Sequence, residues 1–111
     1  MVTQEQSAGV ILVCPPGKAD IDRELNEALQ LVRQRGDCDV IVDCAELDIM
    51  SSHHLASLLR IQKLLHDCGH RLVLCGVREV TRRIFSVTGL TEVFDIVGDR
   101  SDAMATVEAG N

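Results

Sequence analysis

The amino-acid sequence predicts an α/β domain, with a mostly parallel central sheet of about four strands flanked by about four helices. Three observations carry that expectation. The runs Val10-Ile11-Leu12-Val13, Val40-Ile41-Val42 and Leu72-Val73-Leu74-Cys75 are continuously apolar but short, as strands buried on both faces are. Between them, apolar residues recur at helical spacing. Glycine, proline or serine marks the changeovers.

Taken in order, residues 2–6 support at most a short edge strand. Residues 9–14 form the first buried strand, which Pro15-Pro16-Gly17 stops. Asp20 or Asp22 then caps a helix whose inward residues are Ile21, Leu25, Ala28, Leu29 and Val32, and Gly36 ends it. Asp39–Asp43 is the central strand. After a connection, Ser51 and Ser52 open a second helix that runs to about Asp67, and Cys68-Gly69 closes it. Residues 71–75 are the next buried strand. Residues 80–87 read as a third helix with Val80, Ile84, Phe85 and Val87 inward, ended by Thr88-Gly89. Residues 94–97 form a last short strand, and Ser101 caps a final helix over residues 102–108. Residues 1–111 form one domain, without repeat, low-complexity segment or linker.

The totals exclude several function classes. Only two Phe and neither Tyr nor Trp are present, so base stacking is poorly served, and a net charge of -6 opposes a phosphate backbone. A nucleic-acid partner is not expected. The five cysteines (Cys14, Cys38, Cys44, Cys68, Cys75) are odd in number and lack a repeating spacing, so free thiols and a cytoplasmic location are expected. No signal peptide or transmembrane-length apolar run is visible, and membrane insertion is not expected.

The stretch of residues 49–59 organises the functional expectations. A strand ends at Asp43, and apolar helical spacing resumes at Leu55, Leu58, Leu59, Ile61 and Leu65. Serine at such a switch can accept from the unpaired N–H groups of the first helical turn. The same N–H groups and the helix dipole favour an anion there, including a phosphate carried by the serine. The apolar arc of this helix spans about 220°, against the roughly 100° stripe that buries one face. Either neighbouring helices cover its flanks or one flank is a partner surface.

The chain resembles the STAS domains, and among them the bacterial anti-sigma factor antagonists. Val10-Ile11-Leu12-Val13 followed by Gly17-Lys18-Ala19-Asp20 resembles the family's strand and Gly-x-x-Asp turn. Val40-Ile41-Val42-Asp43 resembles the strand ending in Asp, and residues 71–77 resemble the third core strand. Arg83-Ile84-Phe85-Ser86-Val87-Thr88-Gly89-Leu90 is similar to the family's basic-apolar-Phe…Gly-Leu segment. In that family the loop before the second helix reads Asp-Ser-(Ser/Thr)-Gly-Leu, and an anti-sigma kinase phosphorylates the first Ser. Aligned from Met50 to Leu55, Ser51 stands at the Asp, Ser52 at the phosphoacceptor, His53 at the second Ser/Thr and His54 at the Gly. The resemblance therefore implies phosphorylation at Ser52, or at Ser51 if the loop shifts by one residue. It also implies a partner surface built from Ser51, Ser52, His53, His54, Ser57 and Asp20.

The same residues admit other chemistry. Ser52 with His53 or His54 could form a nucleophile–base pair of a small hydrolase, but the orienting group and oxyanion donors are unmarked. His66, Cys68 and His70 form an H-x-C-x-H cluster lacking the second ligand pair that structural zinc sites carry. A helix-capping His and an apolar Cys explain it without metal. Gly36, Gly69, Gly76 and Gly89 form no phosphate-binding fingerprint. Asp20, Asp22, Asp43 and Asp48 are dispersed caps and strand ends, and Arg78, Arg82 and Arg83 make a small basic face.

The expected function is thus a non-enzymatic interaction module without cofactor or metal. It would bind an anti-sigma factor, a serine kinase if Ser52 is its phosphoacceptor, and so release a sigma factor, acting as a monomer or weak dimer. The alternative is a STAS subunit of a larger assembly, such as a stress-signalling complex or an ABC-type lipid transport system.

Overall fold

The computed structural model describes residues 3–7, 9–14, 21–35, 38–45 and 52–109, with the side chains of 3–7, 21, 22, 35, 52 and 109 left aside. Along the chain run β1 (Thr3–Ser7), β2 (Val10–Val13), α1 (Ile21–Arg35), β3 (Asp39–Asp43), α2 (Ser52–Asp67), β4 (Leu72–Cys75), α3 (Glu79–Thr88), a 3-10 turn (Leu90–Glu92), β5 (Asp95–Val97) and α4 (Arg100–Ala109). The strands form one sheet in the order β1-β2-β3-β4-β5. β2 to β5 are mutually parallel, and β1 pairs antiparallel with β2 at the edge. The edge strand is a genuine element, with a register shift between Glu5 and Ser7.

This topology follows from handedness. Each of the three crossovers moves one strand in the same direction, and right-handed crossovers then place α1, α2 and α3 on one face. That face holds the larger core: Leu25, Ala28, Leu29 and Val32 of α1, Leu58, Ile61 and Leu65 of α2, and Phe85 of α3 pack on Ile11, Val13, Val40, Val42, Leu72 and Leu74. Phe85 and Phe94 stack obliquely, with centroids 5.7 Å apart. Among the described residues α4 covers the other face, setting Ala103 and Val107 against Val10, Leu12, Ile41, Val73 and Cys75. Alternate strand residues thus serve different cores, which is why these runs are apolar throughout.

α2 meets its wide apolar arc mainly by packing against α1, with Leu55 and Leu64 also tucked against the core. Leu59 stays 37% exposed next to the half-open Val93, and Gln62 Nε2 donates to the Val93 carbonyl at 3.1 Å.

Three expectations need correction. α3 buries Thr81 and Phe85, while Val80 is 54% and Val87 87% exposed and Ile84 is half-buried. On a helical wheel Val80, Ile84 and Val87 lie some 60–120° from the Thr81 direction, so the helix turns that apolar stripe outward. α4 begins at Arg100, and its cap is Asp99, whose Oδ1 accepts from the Asp102 amide at 2.9 Å; Ser101 lies exposed inside the helix. Cys68 is exposed rather than an apolar filler. His66 is exposed too, and His70 instead places Nδ1 3.3 Å from Asp39 Oδ1. Asp20, Ser51, Pro15 to Gly17, Gly36 and Asp48 lie outside the described residues.

Candidate functional site

In a parallel sheet, loops at the carboxyl ends of the strands converge on the amino ends of the following helices, and ligands are met there. Among the described residues that edge carries Cys14, Cys44-Ala45, the β4–α3 connection and Gly98-Asp99. Its centre is Asp43, the last residue of β3. Asp43 Oδ1 accepts from the Ala45 amide at 3.0 Å, an Asx-type turn that starts the chain toward α2. Asp43 Oδ2 accepts from Arg100 Nε at the start of α4. Arg78 Nη2 donates to the Ala45 carbonyl at 3.2 Å, so two arginines from different connections hold the root of one loop.

Gly76 makes this closeness possible. It has φ +65°, and a Cβ there would lie 3.0 Å from Asp43 Oδ1 and 3.1 Å from the Ala45 amide nitrogen. Its own amide donates to the Gly98 carbonyl at 3.1 Å, joining the β4 and β5 exits. Only glycine accommodates both the left-handed backbone and the approach of Asp43.

Beyond the loop, α2 starts at Ser52. The first turn of α2 holds no acidic side chain, and its last turn holds His66. Nothing acidic on that turn offsets the positive end of the dipole. His53 is exposed and His54 half-buried; their rings are tilted by 58° with centroids 6.4 Å apart. Successive helical residues diverge by about 100°, so the two imidazoles do not converge on a common hydroxyl. Ser57 is buried. Of the expected surface, the structure therefore brings Ser52, His53 and His54 together at the start of α2 and sets Ser57 beneath it. Asp20 and Ser51 fall in the segments left undescribed.

The Asp43–Arg100 pair escaped sequence reasoning because 57 positions separate the two residues. The available signal was an aspartate at a strand end facing a basic residue at the start of a helix on the same sheet edge. Among the described residues no helix is long and apolar enough to cross a membrane, and no group of three or more His, Cys, Asp or Glu could hold a metal ion.

Comparison with known proteins places this geometry in context. Residues 16–98 match the family model described as "Mlab, STAS domain". A Bordetella bronchiseptica protein, BtrV, provisionally named an anti-sigma factor antagonist, is 26% identical over 106 residues, covering 94% of this chain and 91% of its own. The anti-sigma-B factor antagonist of Staphylococcus epidermidis is 34% identical over 73 residues, 66% of this chain and 68% of its own. The solved structure of an anti-sigma-factor antagonist (STAS) domain protein from Planctomyces limnophilus superposes with a TM-score of 0.82 at 16% identity, covering 97% of this chain and 99% of that one.

Proposed function

The chain belongs to the STAS domain family, and from that premise we propose that it is an anti-sigma factor antagonist that acts by binding, with no catalytic step of its own. The names of its relatives support the class of partner. The observation that carries the reading is the place of Ser52: the first residue of α2, on the loop whose root Asp43, Arg78 and Arg100 hold, with no acidic side chain in the first turn.

On this reading the docking surface comprises Ser51, Ser52, His53, His54 and Asp20; Ser57, expected on that surface, is buried and drops out of it. The partner is an anti-sigma factor, and a serine kinase activity in that partner supplies the phosphoryl group to Ser52. Phosphorylation adds about -1.5 to -2 charges. At the amino end of α2 the dipole accommodates that charge, so the fold survives. The interface does not, because a bulky anion would have to be desolvated against the partner. His53 and His54 stand where the family pattern has Ser/Thr and Gly, and a phosphate beside either ring favours its protonated form, offsetting part of the new charge. The five cysteines, none of them in a disulfide, suit a reducing cytoplasm, where the protein works as a monomer or weak dimer.

The test compares Ser52→Ala and Ser52→Asp with the parent for thermal stability and for binding to the anti-sigma factor encoded nearby. All three are expected to fold. Ser52→Ala should bind like the parent and Ser52→Asp at least about tenfold more weakly, a difference of about 1.4 kcal/mol. Equal binding by all three would remove the phosphoswitch and leave a constitutive docking module; absence of binding would remove the anti-sigma partner itself.

A further inference from the structure

The docking function leaves the thiols of the same sheet edge unassigned. β2, β3 and β4 run parallel with Val13 beside Val42 and Asp43 beside Cys75. Cys14 continues β2 past Val13, so Cys14, Asp43 and Cys75 form one row across the sheet. Cys14 and Cys75 both belong to the core that α4 covers. Arg100 reaches down from the start of α4 to this row: its Nε donates to Asp43, and its Nη2 lies 3.0 Å from Cys14 Sγ. We propose that Cys14 is a thiol-modification site, at which a peroxide oxidises the sulfur and a small thiol of the glutathione class then caps it.

A thiolate, not a thiol, is the nucleophile, and a guanidinium in hydrogen-bond contact compensates its charge. Among the described residues the acidic groups on this edge are Asp43 and Asp99, with Cys75 on the next strand but one. Asp43 is already paired with the same guanidinium that meets Cys14. The other thiols differ in kind. Cys75 is pushed up to about 12, by burial first and then by Asp43, and stays a thiol. Cys44 points to the opposite core, and burial raises it as well, followed by Cys75 and Asp43. Cys38 is fully buried, whereas Cys68 is exposed without a guanidinium bonded to it among the described residues. Among the described residues, Cys14 is the cysteine that combines partial exposure with a bonded cation.

In the first step the Cys14 thiolate attacks one peroxide oxygen. An S–O bond forms, the O–O bond breaks and hydroxide leaves, so sulfur loses two electrons and the peroxide gains them. In the second step the small thiol attacks the sulfenic sulfur; an S–S bond forms, the S–O bond breaks and water leaves. Cys75 does not resolve the sulfenic acid, because two strand spacings separate its Cα from that of Cys14 by about 9.6 Å, beyond the roughly 7 Å that a disulfide spans.

The experiment treats the folded protein with limiting iodoacetamide between pH 6 and 9 and quantifies each cysteine by peptide mass mapping, with Cys68 as internal standard. At pH 7 Cys14 is expected to react about tenfold faster than Cys68. Arg100→Gln should bring it to or below the Cys68 rate, Arg100→Lys should retain part of the advantage, and Asp43→Asn should increase it by freeing the guanidinium. Peroxide followed by glutathione should place the adduct on Cys14. Circular dichroism separates these effects from unfolding, and should Arg100→Gln unfold, the parent ratio and Arg100→Lys decide. A Cys14 rate at or below that of Cys68 at every pH, or a ratio unmoved in folded Arg100→Gln, overturns the proposal. Failure of partner binding at Ser52 would leave it standing.

Discussion

Asp39 and Asp43 bracket the same strand about 13 Å apart, and each carboxylate ties β3 to a neighbouring connection. Asp39, 3% exposed, accepts from the Arg71 amide at 2.8 Å and sits 3.3 Å from His70 Nδ1. It closes the turn that feeds β4. Asp43 holds the Ala45 amide and the Arg100 side chain, and Arg100 also touches a thiol. At the amino end the carboxylate is buried against neighbouring backbone and a ring in one tight turn. At the carboxyl end it organises loops that leave the sheet, beside the start of α2. One residue type therefore serves closure at one pole and the assembly of a surface at the other. The difference comes from strand polarity, because only the carboxyl pole collects the amino ends of α2, α3 and α4.

The carboxyl pole depends most on Gly76. Gly76→Ala forces a Cβ into Asp43 and Ala45 and an L side chain into φ +65°. The expected loss is about 2–3 kcal/mol in urea-induced unfolding, combining backbone strain with displacement of the Asx turn. Gly89→Ala is the control. Gly89 has φ +79° but open space around the missing Cβ, so strain alone should cost about 1 kcal/mol. Equal losses would mean that the close approach of Asp43 contributes nothing.

The two aspartates should differ in the same sense. Asp39→Ala strips the partner from the Arg71 amide inside the fold and should cost about 2 kcal/mol. Asp43→Ala faces a half-exposed Arg100 and a surface turn, and about 1 kcal/mol is expected. The order should reverse in binding assays, where Asp43→Ala weakens docking at the Ser52 loop and Asp39→Ala leaves it alone. A single order in both assays would erase the distinction between the poles.

Alkaline stability is the next measure. The Cys75 thiol ordinarily titrates at 9.0 but is held up to about 12 in the fold. Below pH 9 neither state ionises and its contribution is intact. Between pH 9 and 12 the unfolded thiol releases its proton while the native one does not, so stability falls as pH rises. One such group contributes a slope of about 1.4 kcal/mol per pH unit. Cys75→Ala should flatten the curve above pH 9 relative to the parent, whatever it costs at neutral pH. An unchanged slope would show Cys75 to be open to solvent.

The sheet was legible because β2, β3 and β4 are buried on both sides and so appear as unbroken apolar runs. The start of α2 at Ser52 was legible from the change of period. α3 was not. Its inward face is built on Thr81 and Phe85, and a buried threonine carries no hydropathy signal while the outward Val80 and Val87 carry a misleading one. The clamp at Asp43 was invisible for another reason: the parallel register brings Cys14, Asp43, Cys75 and Arg100 to one edge, and no local pattern records that register.

The start of α4 offers the finest test of the carboxyl pole. Serine at 101 looks like a cap by residue type, yet the helix begins one position before it. A cap must lie outside the helix with its side chain folded back onto the N2 or N3 amide. Asp99 does this, its Oδ1 accepting from the Asp102 amide at 2.9 Å, and its charge also complements the dipole. Ser101 is exposed within the first turn. Asp99→Ala should therefore cost about 1 kcal/mol, and Ser101→Ala should stay within about 0.5 kcal/mol of the parent. Because α4 carries Arg100, loosening its first turn should also slow alkylation of Cys14 in Asp99→Ala and leave it unchanged in Ser101→Ala. Matching losses in the two variants would move the cap to Ser101, and the helix start that aims Arg100 at Asp43 would shift with it.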